Sequence, residues 1–543
     1  MNRYHDTRSF VACVAALAIT AAACGGGDDG AGAQGDGAET AGTIDADVQS
    51  GVKSALEGTT TSAGSATTAA QARPQSIEEW EELWAEERAA VVAKIKKNGW
   101  GLSADGNTLT GPEGFTIDLT ACTDGWSDTQ GLTDTEIKIG DVVAQSGIGA
   151  DNGLVWKTAD LWFKYHSDLG SFTDSNGKTR KINFVVRDDG YDVARAIPLV
   201  DEMLDSEKVF ALWTFGTPAG LKVYDKINQY CVPHPTLIGG SPAWGDPVNH
   251  PWTTGSYIAY TTEAVIWAAF IDQNFAELSA GDGKVTVGGL VANSDFGATY
   301  ENAFRAAIAE SPNKDDIEFV TEKFEITAPT VTDPMTTLAS KNLDLFITMT
   351  GGVQCTQIIN EAAQNGMSAT TKFRFMSSVC KSAAYVGKEK VGGDGSQADG
   401  WYIVGGGYKD IGASENDDDP FSIWGRQFFT ERGVDYKASG NYGYGFFLAW
   451  LWTQTLRIAG DLPGGLTRTN FILAQRAFEG TSPIHLEGVA VNMNGNADAF
   501  FVEGSDLSVY DSAKQAWIVQ GDVIELSGKS PNCAWDVTVS ACK

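Results

Sequence analysis

Residues 136–150, EIKIGDVVAQSGIGA, decide the fold. Glu136 to Val143 is a run of apolar and β-branched residues with the length of one buried strand. It breaks into a Gly-rich turn, Ser146-Gly147-Ile148-Gly149, and then into a helical pattern over roughly 154–168. The same alternation continues downstream. Lys181 to Arg187 is strand-like, and 192–206 is a helix with Ala196, Val200, Met203 and Leu204 inward. Val209 to Phe215 is a strand, Pro218 to Gln229 a helix and Thr236 to Ile238 a strand. Buried strands separated by amphipathic helices give a parallel sheet covered on both faces.

A second run begins after Tyr257. Helix 259–275 leads to strand 284–292, helix 297–310, strand 317–324, helix 334–340, strand 343–350, helix 353–365 and strand 372–377. The fold class is therefore α/β: two doubly wound parallel-sheet lobes in series, with a ligand cleft between them. A long apolar helix is expected at about 441–459, and 487–503 and 517–526 alternate like late hairpins. Upstream, SIEEWEELWAEERAAVVAKIKK (76–97) is an amphipathic helix with Ser76 as N-cap; Trp80, Leu83 and Trp84 share the face that packs on the body. Residues 101–120 carry hairpin turns.

The N-terminus is a secretory leader. Arg3 and Arg8 precede an apolar run from Phe10 to Ala22, too short for a membrane span. Ala21-Ala22-Ala23-Cys24 resembles a bacterial lipobox, which implies lipidation at Cys24; the alternative is a plain signal peptide cut near a cysteine. Residues 25–75 have almost no large apolar side chains and are expected to be a disordered tether.

The formal net charge is −31, from 39 basic and 70 acidic residues. Nucleic acid is excluded as a partner, because phosphate binding needs a basic surface. The five histidines are scattered and no CxxC pair exists, so neither a metal nor another cofactor is expected. Eight cysteines in an exported chain suggest disulfides. Cys533 pairs plausibly with Cys542. Cys355 and Cys380 follow adjacent parallel-strand patterns and can face one another. Cys122 and Cys231 are left without an assigned partner.

Three motifs mimic other chemistries. Gly147-x-Gly149-x-x-x-Gly153 has one residue too many for a dinucleotide loop. Gly239-Gly240-Ser241-Pro242-Ala243 resembles a nucleophile elbow, but Pro242 removes the N–H that would build an oxyanion hole. Asn492 to Asp498 alternates oxygens like a calcium loop, yet lacks the glycine and the terminal glutamate; Asn494-Gly495 is better taken as a hairpin turn. No catalytic residue is assigned, and the chain is not expected to be an enzyme. Gly216-Thr217-Pro218, at the carboxyl end of a strand and the start of a helix, is an anion seat.

From Gly131 onward the ordered motifs resemble the leucine/isoleucine/valine-type periplasmic binding proteins, the substrate-binding lipoproteins of ABC importers. The resemblance is carried by GLTDTEIKIG (131–140), VVAQSG (142–147), RDDGYDVARAIPLVDEML (187–204), FGTPAGLKVYDKIN (215–228), VPHPTLIGGSPAWGDP (232–247), VANSDFGATY (291–300) and FITMTGG (346–352). It begins at 131 and implies a first lobe of 131–257 and 405–485 and a second lobe of 258–404 and 486–543; the first 130 residues fall outside it and are divided by their own composition into leader 1–23, tether 24–75 and N-terminal extension 76–130. It places the carboxylate-binding hydroxyl on Thr217, beside Phe215 and Gly216, with backbone contacts at Ile238, Gly239, Gly240 and Ser241. First-loop contacts fall on Gln145 and Asn152, the crossing on Tyr257 and an aromatic wall on Phe296. Gly352 stands where a tyrosine is usual, and Val379 where the amine-binding acid should lie. The anion seat is kept and the ammonium seat is lost, unless Asp188 or Asp295 supplies the acid.

The implied function is an extracytoplasmic, lipid-anchored substrate-binding protein that hands a small amino acid, amide or carboxylate to an ABC permease in the membrane. The alternatives are a sensory ligand-binding domain and, less favoured, a secreted hydrolase.

Overall fold

The computed structural model describes residues 46–56 and 73–543. The leader, Cys24 and most of the expected tether lie outside the described residues. Among the described residues no helix is long and apolar enough to cross a membrane.

Two sheets organise the chain. In the first, Glu136–Val143 lies between Thr179–Asp188 and Ala211–Thr214, parallel to both. Phe172–Thr173 joins Thr179–Asp188 as an antiparallel edge. A bridge from Phe215 to Ile238 continues the layer to His234–Leu237, which pairs with Thr253–Gly255. The second sheet has seven strands. Ile317–Phe324, Val285–Ala292, Leu345–Met349, Phe373–Met376 and Trp401–Val404 run parallel in that order; Ser505–Asp511 and Ala516–Ile524 then close it antiparallel. Both sheets are thus mixed rather than purely parallel.

The first lobe is built around the helix Asn441–Asp461, in which Phe446, Phe447, Trp450, Leu451 and Trp452 are fully buried. A helix apolar on every face belongs in a core. It packs on Val155–Asp168 and on the N-terminal helix Ile77–Asn98. Ser76 caps that N-terminal helix by accepting from the Glu79 N–H, and Gly99 ends it at φ 67°. Trp80 and Trp84 stack 5.6 Å apart, and Trp84 reaches Trp162 and Trp450 at 6.5 and 6.1 Å. Residues 101–118 form a small three-stranded antiparallel sheet, one strand more than a hairpin.

Three expectations are corrected. Residues 46–56 are not part of a free tether: Ala46–Leu56 is a helix whose Val48, Val52 and Ala55 are buried against the second lobe, on Ala516–Ile524 and the helix Tyr260–Gln273. Residues 487–503 form no hairpin; only isolated bridges such as Glu479–Asn492 and Asn494–Asp498 occur there. Nor do residues 486–502 join the second lobe. Val491, Met493, Phe501 and Val502 are buried in the first-lobe core, so the last crossing falls just before Ser505.

Among the described residues three disulfides are present. Cys355–Cys380 and Cys533–Cys542 have Cα separations of 5.8 and 5.0 Å. Cys122–Cys231, unassigned from sequence, ties the N-terminal extension to the end of the helix Thr217–Gln229.

Candidate functional site: the inter-lobe cavity

A cavity of about 850 Å³, its open mouth included, lies between the lobes at the carboxyl ends of both sheets. Of the residues expected there, Asn152, Phe215, Gly216, Thr217, Ile238 and Gly239 line it from the first lobe. Tyr257 lines it at a crossing, and Phe296, Gly352 and Val379 from the second lobe. Gln145, Gly240 and Ser241 do not. Gln145 is exposed, its N–H spent on Asp188. At Gly240 a Cβ would sit 2.4 Å from the Ile258 carbonyl, so this backbone packs against the crossing instead of facing a ligand. Ser241 is buried and caps the short helix Pro242–Gly245.

Thr217 opens the helix Thr217–Gln229, with Pro218 in the first turn. Its side chain is fully buried, and Oγ1 makes no hydrogen bond of good geometry, with the Tyr260 hydroxyl as its polar neighbour. A buried hydroxyl is costly when unpaired, so an oxygen-bearing ligand is the natural partner. Gly239, at φ 152°, leaves this corner open: a Cβ there would approach Thr217 Oγ1 at 3.4 Å and its N at 3.5 Å. The free N–H groups of the first turn and the positive end of the helix dipole point to the same corner.

The walls are aromatic. Tyr191 packs edge-on to Phe215, 5.6 Å away. Tyr260 stacks on Tyr300 at 4.1 Å and meets the edge of Phe296 at 5.2 Å. Tyr257, Tyr408 and Tyr444 form a cluster at the crossings, and the Tyr444 hydroxyl donates to the Ser256 carbonyl at 3.0 Å. Behind Tyr408, buried Lys381 donates to the Gly405 and Tyr408 carbonyls and lies 4.3 Å from the Tyr408 ring centre. Burial raises the hydroxyl pKa values of Tyr191, Tyr257, Tyr260, Tyr408 and Tyr444, so all five stay neutral.

No lining side chain carries a formal charge. Asp188 accepts from Gln145, Ser146 and Gly190, and Asp295 lies 3.9 Å from Lys222; neither lines the cavity. One carboxyl sits just behind the wall, where local sequence patterns did not locate it. Glu263 is fully buried and accepts from Tyr300 Oη at 2.7 Å, Ser378 N at 2.8 Å and Ser378 Oγ at 2.7 Å. Burial pushes it up to about 7, opposed by those hydrogen bonds.

The lobes touch across the cavity mouth. Asn152 Nδ2 donates to the Val379 carbonyl at 3.2 Å, and Tyr385 Oη donates to Asn152 Oδ1 at 2.6 Å. Ser382 and Ser439 pair across the lobes at 3.2 Å, and within the first lobe Asn441 Nδ2 donates to Asp151 at 2.8 Å. Gly352, at φ 72°, presses on the Ile148 carbonyl so closely that a Cβ would stand 2.7 Å from it. This is a closed arrangement.

The mimics resolve as structure. A Cβ on Gly153 would fall 1.8 Å from the Ala144 carbonyl, so that glycine serves close helix–strand packing. Among the described residues no cluster of three metal-ligating side chains occurs.

A family described as "Periplasmic binding protein" matches residues 136–496. No curated protein matches the chain. Solved structures share the fold. A fatty acid ABC transporter substrate-binding protein from Thermomonospora curvata is 16% identical with a TM-score of 0.59, over 77% of this chain and 99% of that one. A branched chain amino acid ABC transporter from Thermus thermophilus with bound valine is 16% identical with a TM-score of 0.61, over 73% and 98%. A solute binding protein of an ABC transporter from Rhodopseudomonas palustris BisB5, in complex with 3,4-dihydroxy benzoic acid, is 15% identical with a TM-score of 0.55, over 72% and 97%.

Proposed function

The chain belongs to the periplasmic binding protein family, the extracytoplasmic solute-binding proteins of ABC transporters, and from that premise we propose that it is the lipid-anchored receptor of an importer for small carboxylates without an α-ammonium. The observation that carries the ligand class is the uncharged lining of the cavity. An ammonium enclosed there would lose its hydration without gaining a carboxylate, which costs several kcal/mol. A carboxylate would instead meet the Thr217 hydroxyl, which makes no hydrogen bond of good geometry, and the helix N-terminus. The aromatic walls then take an apolar or aromatic body. Two of the relatives named above are described with amine-free acids, a fatty acid and 3,4-dihydroxy benzoic acid.

Titration calorimetry with leucine, its deaminated keto acid and 3,4-dihydroxybenzoate tests this. An amine-free acid is expected to bind and leucine not to. Thr217→Val is expected to weaken binding roughly 10- to 150-fold, the loss of one hydrogen bond to a charged group at about 1.5–3 kcal/mol. Tight leucine binding with neither amine-free acid bound would sink the reading. The anchor is tested separately: Cys24→Ala should leave the chain soluble or uncleaved, and wild type and mutant equally free of the membrane would remove it.

A further inference from the structure

The C-terminal eighteen residues, 526–543, run over both lobes on one flank of the cleft. Leaving the last strand of the second sheet, the chain is held at Glu503, which accepts from the Gly528 N–H and from the Ser530 N–H at 2.6 Å. Ser530 Oγ pairs with Thr262 Oγ1, on the second lobe, at 3.0 Å. The segment then crosses. Cys533 N donates to the Gly245 carbonyl of the first lobe at 2.8 Å. Trp535 packs on the first-lobe cluster of Leu221, Tyr224, Leu237, Ala243 and Trp244. The chain turns back through the pair Trp535–Asp536 and Ala541–Cys542, and the Cys533–Cys542 disulfide closes the loop. Its tip returns to the second lobe, where Asn302 Nδ2 donates to the Val539 carbonyl at 2.8 Å and the Ser540 carbonyl at 3.1 Å.

The two helices it joins flank the cleft. Thr217–Gln229 begins at the anion seat, and Asp295–Ala309 carries Phe296 of the opposite wall. They approach at Lys222 and Asp295, 3.9 Å apart. We propose that the disulfide-closed loop 533–542 is a clasp that bridges the lobes and holds them shut. Its first-lobe end is apolar, with Cys533 buried and Trp535 half-buried, and its second-lobe end is polar and more exposed, so Asn302 is the side that lets go when the lobes part. The disulfide keeps the loop folded back, so that Trp535 and the 539–540 carbonyls engage both lobes at once. This lies beyond the ligand assignment and does not depend on it.

The test uses the ligand-free protein. Spin labels on p-acetylphenylalanine at Gln145, exposed on the first lobe, and Thr330, exposed on the second, report lobe separation by double electron–electron resonance. Wild type is expected to show a short-distance population matching the closed arrangement. Asn302→Ala should raise the open-to-closed ratio roughly 2- to 10-fold for each hydrogen bond lost, and Cys533→Ser/Cys542→Ser should move it the same way. Circular dichroism establishes that each variant is folded. A wild type already wholly open, or either folded variant superimposing on wild type, would overturn the clasp. None of these outcomes touches the ligand class.

Discussion

Gly352→Ala separates folding from closure. Gly352 has φ 72°, and its notional Cβ lies 2.7 Å from the Ile148 carbonyl oxygen across the cleft. An alanine there meets two costs. The left-handed backbone conformation costs about 1–2 kcal/mol whether the lobes are open or shut, and lowers the melting temperature accordingly. The overlap with Ile148 exists only when the lobes are shut. It is backbone against Cβ, so no side-chain rotation relieves it, and the lobes must stay apart by roughly 0.5 Å or more. Overpacking of this kind costs about 1–3 kcal/mol, which shifts the open-to-closed equilibrium roughly 5- to 150-fold and weakens ligand by the same factor. Gly351→Ala is the control: its Cβ would meet Val379 Cγ2 at 3.0 Å, within the second lobe, at an ordinary φ. Calorimetry with an amine-free acid found to bind, together with small-angle scattering at saturation, reads both effects. Gly352→Ala should bind weakly and stay more open, while Gly351→Ala should close. Wild-type affinity and radius of gyration in Gly352→Ala would refute the closed contact between Gly352 and Ile148.

Two further outcomes follow from burial and from the disulfides. Burial pushes Asp189, Glu263 and Glu503 up to about 6, 7 and 8, and the Glu503 shift is reinforced by the neighbouring Asp498 carboxyl. These groups hold protons in the folded state that the unfolded chain has already released, so their stabilisation is full below about pH 4 and is lost progressively as pH rises to about 8. Below about pH 6.5 the buried His166, His234 and His485, which burial lowers to about 3, act in the opposite sense, so the melting temperature should fall between about pH 6.5 and 8 and fall less in Glu263→Gln; a rise over that interval would contradict the assignment. Cys122–Cys231 joins positions 109 residues apart, a span for which loop-closure entropy gives up to about 4.7 kcal/mol and typical disulfides about 2–4. Cys122→Ser/Cys231→Ser should lose that much in urea unfolding and speed amide exchange in the 101–118 sheet; unchanged exchange there would show the aromatic packing alone holds the extension.

What the sequence disclosed depended on how local its cause was. Strand 317–324 appears with the expected bounds, because a buried strand between turn residues needs only its own composition to be recognised. The helix Ala46–Leu56 escaped because its stripe of Val48, Val52 and Ala55 is too thin to announce itself. It becomes meaningful only beside the second-lobe surface it covers. Cys231 ends a helix and Cys122 follows a small sheet, and nothing near either residue names the other. In the site, Thr217 could be placed because it stands where a parallel strand gives way to a helix, and Phe296 only through the family resemblance of the motif around it. Tyr191, Tyr260, Tyr408 and Tyr444 could not, since a tyrosine facing a cavity has the same sequence signature as one facing a core. The missing acid at Val379 was visible as an absence in one short stretch. Glu263, from a helix that begins more than a hundred residues earlier, became visible only when Ser378 and Tyr300 were seen donating to it. That carboxyl stands behind the wall, its oxygens taken by Tyr300 and Ser378, neither of which lines the cavity.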